Sequence, residues 1–154
     1  MITYNQANYI RQAIESVLSQ NVSFDMEILI GDDASDDGTS AIVQSFQQKY
    51  SNLIRAFIRK ENIGATANVL DLLLKSRGEY LAFCEGDDFW IEPKKLDQQV
   101  KFLDSNPDYI GCTHVCQIVD ELGQPNKRQR IPWVKKNKGV FSFDDFDGGR
   151  YLPG

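Results

Sequence analysis

Glu27-Ile28-Leu29-Ile30-Gly31-Asp32-Asp33-Ala34-Ser35-Asp36-Asp37-Gly38-Thr39 carries the fold in miniature. A short unbroken apolar run, Ile28 to Ile30, has the length of a strand buried on both faces. It ends on two carboxylates, passes through turn-forming residues at Ser35 to Gly38, and reaches Thr39, a candidate cap for a helix. The following residues Ile42, Val43, Phe46 and Tyr50 recur at helical spacing. Strand, acidic turn and helix in that order are one βα unit.

The same alternation extends both ways. Upstream, Ile2 to Tyr4 reads as the end of a short strand. Tyr9, Ile10, Ala13, Ile14, Val17 and Leu18 then predict a helix over about residues 7–20. Downstream, Leu53 to Arg59 is a third strand and Asn62-Ile63-Gly64 a turn. Val69, Leu70 and Leu72 to Leu74 mark a helix that stops near Gly78. Tyr80 to Cys84 is expected to be a fourth strand. Pro93 is expected in the first turn of a fourth helix lined by Leu96, Val100 and Leu103 and closed by Asn106-Pro107. Ile110 to Val119 is expected to be a fifth strand, with a turn at Glu121-Leu122-Gly123. The prediction is an α/β fold: a mostly parallel central sheet with helices on both faces, three layers in all. Ligands of such sheets bind at the carboxyl ends of the strands, where both acidic clusters fall.

Beyond residue 124 the pattern degrades. Lys127, Arg128, Arg130, Lys135, Lys136 and Lys138 surround Trp133 in a basic stretch that reads as a loop, and Phe141 to Phe146 as the start of another helix. The expected organisation is a domain over 1–124 and an incomplete acceptor-side region over 125–154. The basic stretch suits phosphates, an acidic acceptor or peripheral association with a membrane surface, although a solvated loop is the commoner outcome.

Composition narrows the function classes. The 154 residues are 42% hydrophobic and 25% charged, which suits a packed globular domain. Seventeen basic against 22 acidic residues give a net charge of −5, which argues against a nucleic-acid partner. It leaves a nucleotide ligand open, because a divalent cation can supply positive charge. No run of 18 apolar residues and no signal-peptide pattern occurs. Cys84, Cys112 and Cys116 are odd in number and lack scaffold spacing. A cytoplasmic location follows as an expectation, with the inner membrane face as a place of association. Asn21-Val22-Ser23 matches a glycosylation sequon, and without secretion is read as chance.

Two constellations carry chemistry. Asp32, Asp33, Asp36 and Asp37 place four carboxylates within six residues, which repel unless donors or a cation compensate. They read either as an Asx-rich turn or as a site in which a strand-end acid accepts a hydrogen bond from a base or sugar; spacing alone leaves both open. The second is Glu85-Gly86-Asp87-Asp88-Phe89-Trp90. Gly86 permits a sharp turn or a close approach. Asp87 and Asp88 suit a hard cation, Mg²⁺ or Mn²⁺, shared with phosphates and acting as a Lewis acid on a leaving group. A solvated surface turn is the plainer reading, and two adjacent aromatics weigh against it.

In register, these features resemble the family 2 glycosyltransferases of GT-A (Rossmann-like) fold. Thr3-Tyr4-Asn5 is similar to the end of that family's first strand, with Ile2 where Pro is usual. Ile14-Glu15-Ser16-Val17-Leu18-Ser19-Gln20 resembles its first-helix run. Gly31 to Thr39 resembles its Val-Asp-Asp-Gly-Ser-x-Asp-Gly-Thr motif, Asn62-Ile63-Gly64 its Asn-x-Gly turn, and Gly78-Glu79-Tyr80 through Asp88 its Gly-Glu-Tyr-strand-Asp-Asp segment. The likeness spans about residues 2–124.

The resemblance implies a nucleotide-sugar donor, UDP-linked by preference, and metal-assisted inverting transfer of a hexosyl unit to a glycan, lipid-linked or other acceptor. It implies that Asp33 contacts the base, that Thr3 and Tyr4 line its pocket, and that Asn62 borders it with the residues up to Asn68 and with Glu15. Asp88 becomes the direct metal ligand, with Asp87 near the ribose or the metal. The family's general base lies further along. Only Asp144, Asp145 and Asp147 are late acids here and none is assigned, so the base is expected to be absent and the chain to be truncated at both ends. The rival reading is a noncatalytic nucleotide-sugar-binding fragment. A nucleotidyltransferase would need a basic, Gly-rich loop, which Thr3 to Asn8 lacks, and a dehydrogenase would need GxGxxG after the first strand. Cys112, His114 and Cys116 would share one side of a strand, but no fourth ligand or paired CxxC spacing makes them a zinc site.

Overall fold

The computed structural model describes residues 1–125, so the basic stretch and Phe141 to Phe146 lie outside the described residues. The chain separates into two compact units, Met1–Cys112 and Thr113–Gly154. In the first, the order is β1 (Ile2–Thr3), α1 (Ile10–Leu18), β2 (Ile28–Asp32), α2 (Thr39–Lys49), β3 (Ile54–Ile58), α3 (Ala65–Lys75) and α4 (Lys95–Ser105). The three strands form one parallel sheet in the order β1-β2-β3. Ile2 pairs with Gly31 and Ile28 with Ile54.

The pleat of β2 explains the layers. Alternate residues point to opposite faces. Ile28 and Ile30 enter a core with Ile10, Ile14 and Val17 of α1, Val43 and Phe46 of α2, and Ile54 of β3. Gly31 faces the other way, against Asn68 of α3. Asp32, the last residue of β2, and Asp33 just past it continue the alternation, which decides their separate fates below.

Beneath the sheet, Glu27 ties β3 to the chain after α3. Its carboxylate accepts Arg55 Nη1 at 2.8 Å, Arg77 Nη2 at 2.8 Å and the Arg77 amide at 2.7 Å. Burial raises the Glu27 carboxyl, but the hydrogen bonds from Arg77 and Arg55 outweigh it and hold it down at about 2 against an ordinary 4.5. A lowered folded-state value means stability that is present above 4.5 and lost as the pH falls from there through about 2. Glu27→Gln is therefore expected to cost about 1 kcal/mol at neutral pH, a modest figure because Arg77 is well exposed and Arg55 partly so. Urea midpoints of wild type and variant should converge below pH 4.5; a gap independent of pH would refute the assignment.

Three expectations change. Tyr80 to Cys84 is not a strand: Leu81 and Phe83 are exposed, and a strand needs a hydrogen-bonded neighbour that this run does not find among the described residues. One bond, from the Gly86 amide to Ile2 O at 3.0 Å, moors its end to β1. Ile110 to Val119 is likewise irregular. Ile110 and Val115 stand exposed, and Val119 makes only an isolated antiparallel bridge with Pro125 across the expected turn, which Gly123 N closes onto Asp120 O at 2.9 Å. Pro93 precedes α4 rather than opening it, because the end of α1 holds this segment: Asn21 N donates to Pro93 O at 2.7 Å, and Gln20 bridges Glu92 O and Leu96 N.

Candidate functional site

The carboxyl ends of β1 and β2 open into a cleft of about 360 Å³. Ile2, Thr3, Tyr4 and Gln6 form one side, Asp33, Asn62, Gly64, Ala65 and Asn68 another, and Glu85 the rim. Thr3, Tyr4, Asp33 and Asn62, expected around a base, thus come together. Glu15 does not line the cleft. Gln6 does, and its place two residues after Tyr4 was the only sequence signal for it.

Two loops frame the cleft and are laced to each other. Asn5 N donates to Ser35 Oγ at 2.9 Å, and Asp36 N donates back to Asn5 Oδ1 at 3.0 Å. Gln6 N donates to Thr39 Oγ1 and Ala7 N to Asp37 Oδ2, both at 2.9 Å. Two carboxylates of the first acidic cluster, Asp32 and Asp37, are occupied by hydrogen bonds around these loops. Asp32, fully buried, accepts the Ser35 amide and hydroxyl and the Ser40 hydroxyl. Asp37 accepts the Thr39 amide at 3.0 Å and its hydroxyl at 2.6 Å. Burial raises the Asp37 carboxyl, and the bonds from Thr39 and Ala7 overcome that and lower it on balance. The helix cap therefore differs from expectation: Gly38 occupies the cap position, Thr39 is the first helical residue, and Asp37 satisfies its amide.

Asp33 points the other way. Its Oδ1 accepts Ile63 N at 2.8 Å and its Oδ2 accepts Gly64 N at 2.9 Å. It anchors the Asn62-Ile63-Gly64 turn to the sheet, and each oxygen keeps a second lone pair for a ligand.

Thr3 is buried and donates from Oγ1 to Gln6 Oε1 at 2.7 Å. Tyr4 stands half exposed at the mouth. Gly86 packs closely behind Thr3 and Gln6. A Cβ there would lie 2.3 Å from Gln6 Oε1 and 2.8 Å from Thr3 Cβ, so the close approach read from sequence is by the chain's own first loop.

Asp87 and Asp88 follow on an exposed turn, closed from Asp88 N to Glu85 O at 3.2 Å, and neither lines the cleft itself. Trp90 is partly buried against the core, its amide donates to Ser16 Oγ at 3.0 Å, and Lys95 Nζ sits 4.1 Å from its ring centroid. Trp90 thus moors the turn to α1. Burial and then the Asp88 charge push the neighbouring Cys84 thiol up to about 11, which keeps it protonated. Among the described residues no three His, Cys, Asp or Glu side chains converge as a self-contained metal cage, Cys112, His114 and Cys116 included.

Known proteins share this fold. The profile of Glycosyl transferase family 2 matches residues 1–149. An uncharacterized protein of Mycobacterium tuberculosis is 45% identical over 122 residues, 79% of this chain and 35% of that protein. An uncharacterized glycosyltransferase of Methanocaldococcus jannaschii is 32% identical over 125 residues, 80% of this chain and 42% of that one. The chain therefore spans well under half the length of these relatives. Among solved structures, a mannosyltransferase from Pyrobaculum calidifontis in complex with GDP-Man and Mn²⁺ superposes with a TM-score of 0.61 at 25% identity, over 66% of this chain and 30% of that one. TarS residues 1-349 from S. aureus, in complex with UDP-GlcNAc, superposes with a TM-score of 0.60 at 27% identity, over 69% and 30%. The fold is that of the GT-A glycosyltransferases, and this chain belongs to glycosyl transferase family 2.

Proposed function

We propose that this chain holds the nucleoside diphosphate of a UDP-sugar in the cleft at the ends of β1 and β2, as the donor-binding part of an inverting hexosyltransferase. The observation that carries this reading is the convergence of Thr3, Tyr4, Asp33 and Asn62 on one cleft, from three segments separated in sequence. A half-exposed Tyr4 ring suits a base, and the Asp33 oxygens suit its ring N–H. The two solved neighbours hold GDP-Man and UDP-GlcNAc, so a nucleotide-sugar is the expected ligand class.

A divalent cation fits the donor set. Asp87 and Asp88 offer exposed carboxylates beside the cleft, and Mg²⁺ habitually takes one or two carboxylates and completes its shell with phosphate oxygens and water. Asp88 would hold it, with Asp87 alongside. Bound there, Mg²⁺ or Mn²⁺ neutralises charge on the departing diphosphate. The chain's own residues orient the donor: Thr3, Tyr4 and Asp33 grip the base and Asn62 closes the side. The acceptor oxygen then bonds to the anomeric carbon as the bond to the diphosphate breaks, the diphosphate leaves with the electron pair, and the hydroxyl proton passes to a base.

Calorimetric titration with UDP, GDP and ADP in the presence of Mn²⁺ tests this reading. UDP is expected to bind best, at least about tenfold more tightly than ADP, a difference of about 1.4 kcal/mol. Equal binding of all three would remove the base assignment, and no binding of any would remove the donor site. Turnover with UDP-sugars, assayed alongside, separates transfer from binding alone.

A further inference from the structure

The donor cleft has a support that lies outside it. Asn68 is 1% exposed, on the face of α3 that also buries Leu72, and it reaches the cleft wall. Its Nδ2 donates to Gly31 O at 2.9 Å, fastening α3 to β2 one residue before the acidic pair. Its amide donates to Gly64 O at 3.0 Å, fastening it to the Asn62–Gly64 turn. Its Oδ1 accepts two bonds from one guanidinium, Arg59 Nε at 3.1 Å and Nη2 at 2.9 Å. The same Nη2 donates to Asp71 Oδ2 at 2.7 Å. Arg59 is itself held by its amide, which donates to Asp32 O at 3.0 Å.

We infer that Arg59 is a positioning residue for donor binding: it fixes the Asn68 carboxamide in the one orientation that donates to Gly31 O, and so sets the Asn62–Gly64 turn and Asp33 for the nucleotide. This inference rests on the donor-site reading above. The chemistry is directional. A carboxamide can flip, and a guanidinium can only donate, so two Arg59 donors on Oδ1 force Nδ2 toward the strand. A lysine offers no planar fork to span Asn68 and Asp71 together. Asp71 is a secondary partner, because Lys75 shares its carboxylate and the Asn68 bonds do not run through it.

The test compares Arg59→Lys with Asp71→Asn on the full chain, reading UDP affinity with Mn²⁺, the unfolding midpoint, and hydrogen exchange at the Ile63 and Gly64 amides that donate to Asp33. Arg59→Lys should weaken UDP binding about tenfold or more and speed exchange at both amides, as loss of an outer support does elsewhere. Asp71→Asn should leave affinity within about twofold and exchange unchanged. Equal losses in the two variants would overturn the inference in favour of simple helix stabilisation. So would Arg59→Lys with unchanged affinity and exchange. If wild type fails to bind UDP, the donor-site reading falls, and exchange at Ile63 and Gly64 still decides whether Arg59 positions the turn.

Discussion

Asp88→Ala is expected to remove the Mn²⁺-dependent part of UDP binding, a loss of about a hundredfold or more, while leaving the protein folded. The fold is expected to survive because several bonds of the Glu85–Asp88 turn run through backbone atoms that alanine keeps. The Gly86 amide donates to Ile2 O, the Asp88 amide donates to Glu85 O, and the Cys84 thiol donates to Asp88 O at 3.7 Å. Downstream, the Trp90 amide on Ser16 Oγ and the Trp90 ring against the core keep the turn at the cleft rim. Asp87→Ala, at the less direct position, should reduce affinity by a smaller factor and retain a metal response. Paired titrations with and without Mn²⁺ read both effects. If UDP binds Asp88→Ala with wild-type affinity in Mn²⁺, the metal is held elsewhere. If wild type shows no difference between the two conditions, the turn is not a metal site at all.

That Asp88 and Asp32 should differ so much could not be read from their neighbours. Both belong to adjacent acidic pairs after apolar runs. What separates them is burial, Asp32 wholly enclosed and Asp88 exposed on its turn. Asp32 accepts hydrogen bonds from hydroxyls three and eight residues ahead, Ser35 and Ser40, whereas the lacing of Asp36 and Asp37 depends on Asn5 and Ala7, about 30 residues back. Local turn chemistry is visible in a sequence; a bond between two loops is visible only once the sheet has brought β1 beside β2. The sheet itself was legible because Ile28 to Ile30 has an apolar neighbour run on either side to pair with. Tyr80 to Cys84 has the same apolar character, and it misled because composition reports how a residue tolerates burial, not whether a hydrogen-bonding partner stands beside it. The cleft was legible through Thr3, Tyr4, Asp33 and Asn62. The Arg59 support was not, since its only local trace is a polar residue, Asn68, on the same helical stripe as Leu72.

Gly31→Ala is expected to be strongly destabilising. A Cβ at Gly31 would sit 2.2 Å from Asn68 Oδ1 and 3.0 Å from its Cγ, both far inside contact distance. A surface side chain would swing away. Asn68 cannot do so cheaply: Arg59 holds its Oδ1, its Nδ2 is bonded to the Gly31 carbonyl, and it is almost wholly buried. Relief must come from moving α3 off β2 or from breaking the Arg59 bonds, and either displaces the Asn62–Gly64 turn from Asp33. Overpacking of this kind costs about 2–3 kcal/mol, and here an unsatisfied buried donor adds to it. Urea denaturation should show that loss in Gly31→Ala, with UDP affinity falling alongside. Asn68→Ala alone should also destabilise, by removing the Gly31 bond and the two bonds from Arg59, which keeps Asp71. Combined, the two substitutions should cost less than their sum, because the new methyl group then occupies the space the carboxamide leaves. Strict additivity in that double variant would mean that Gly31 is required for some reason other than its contact with Asn68.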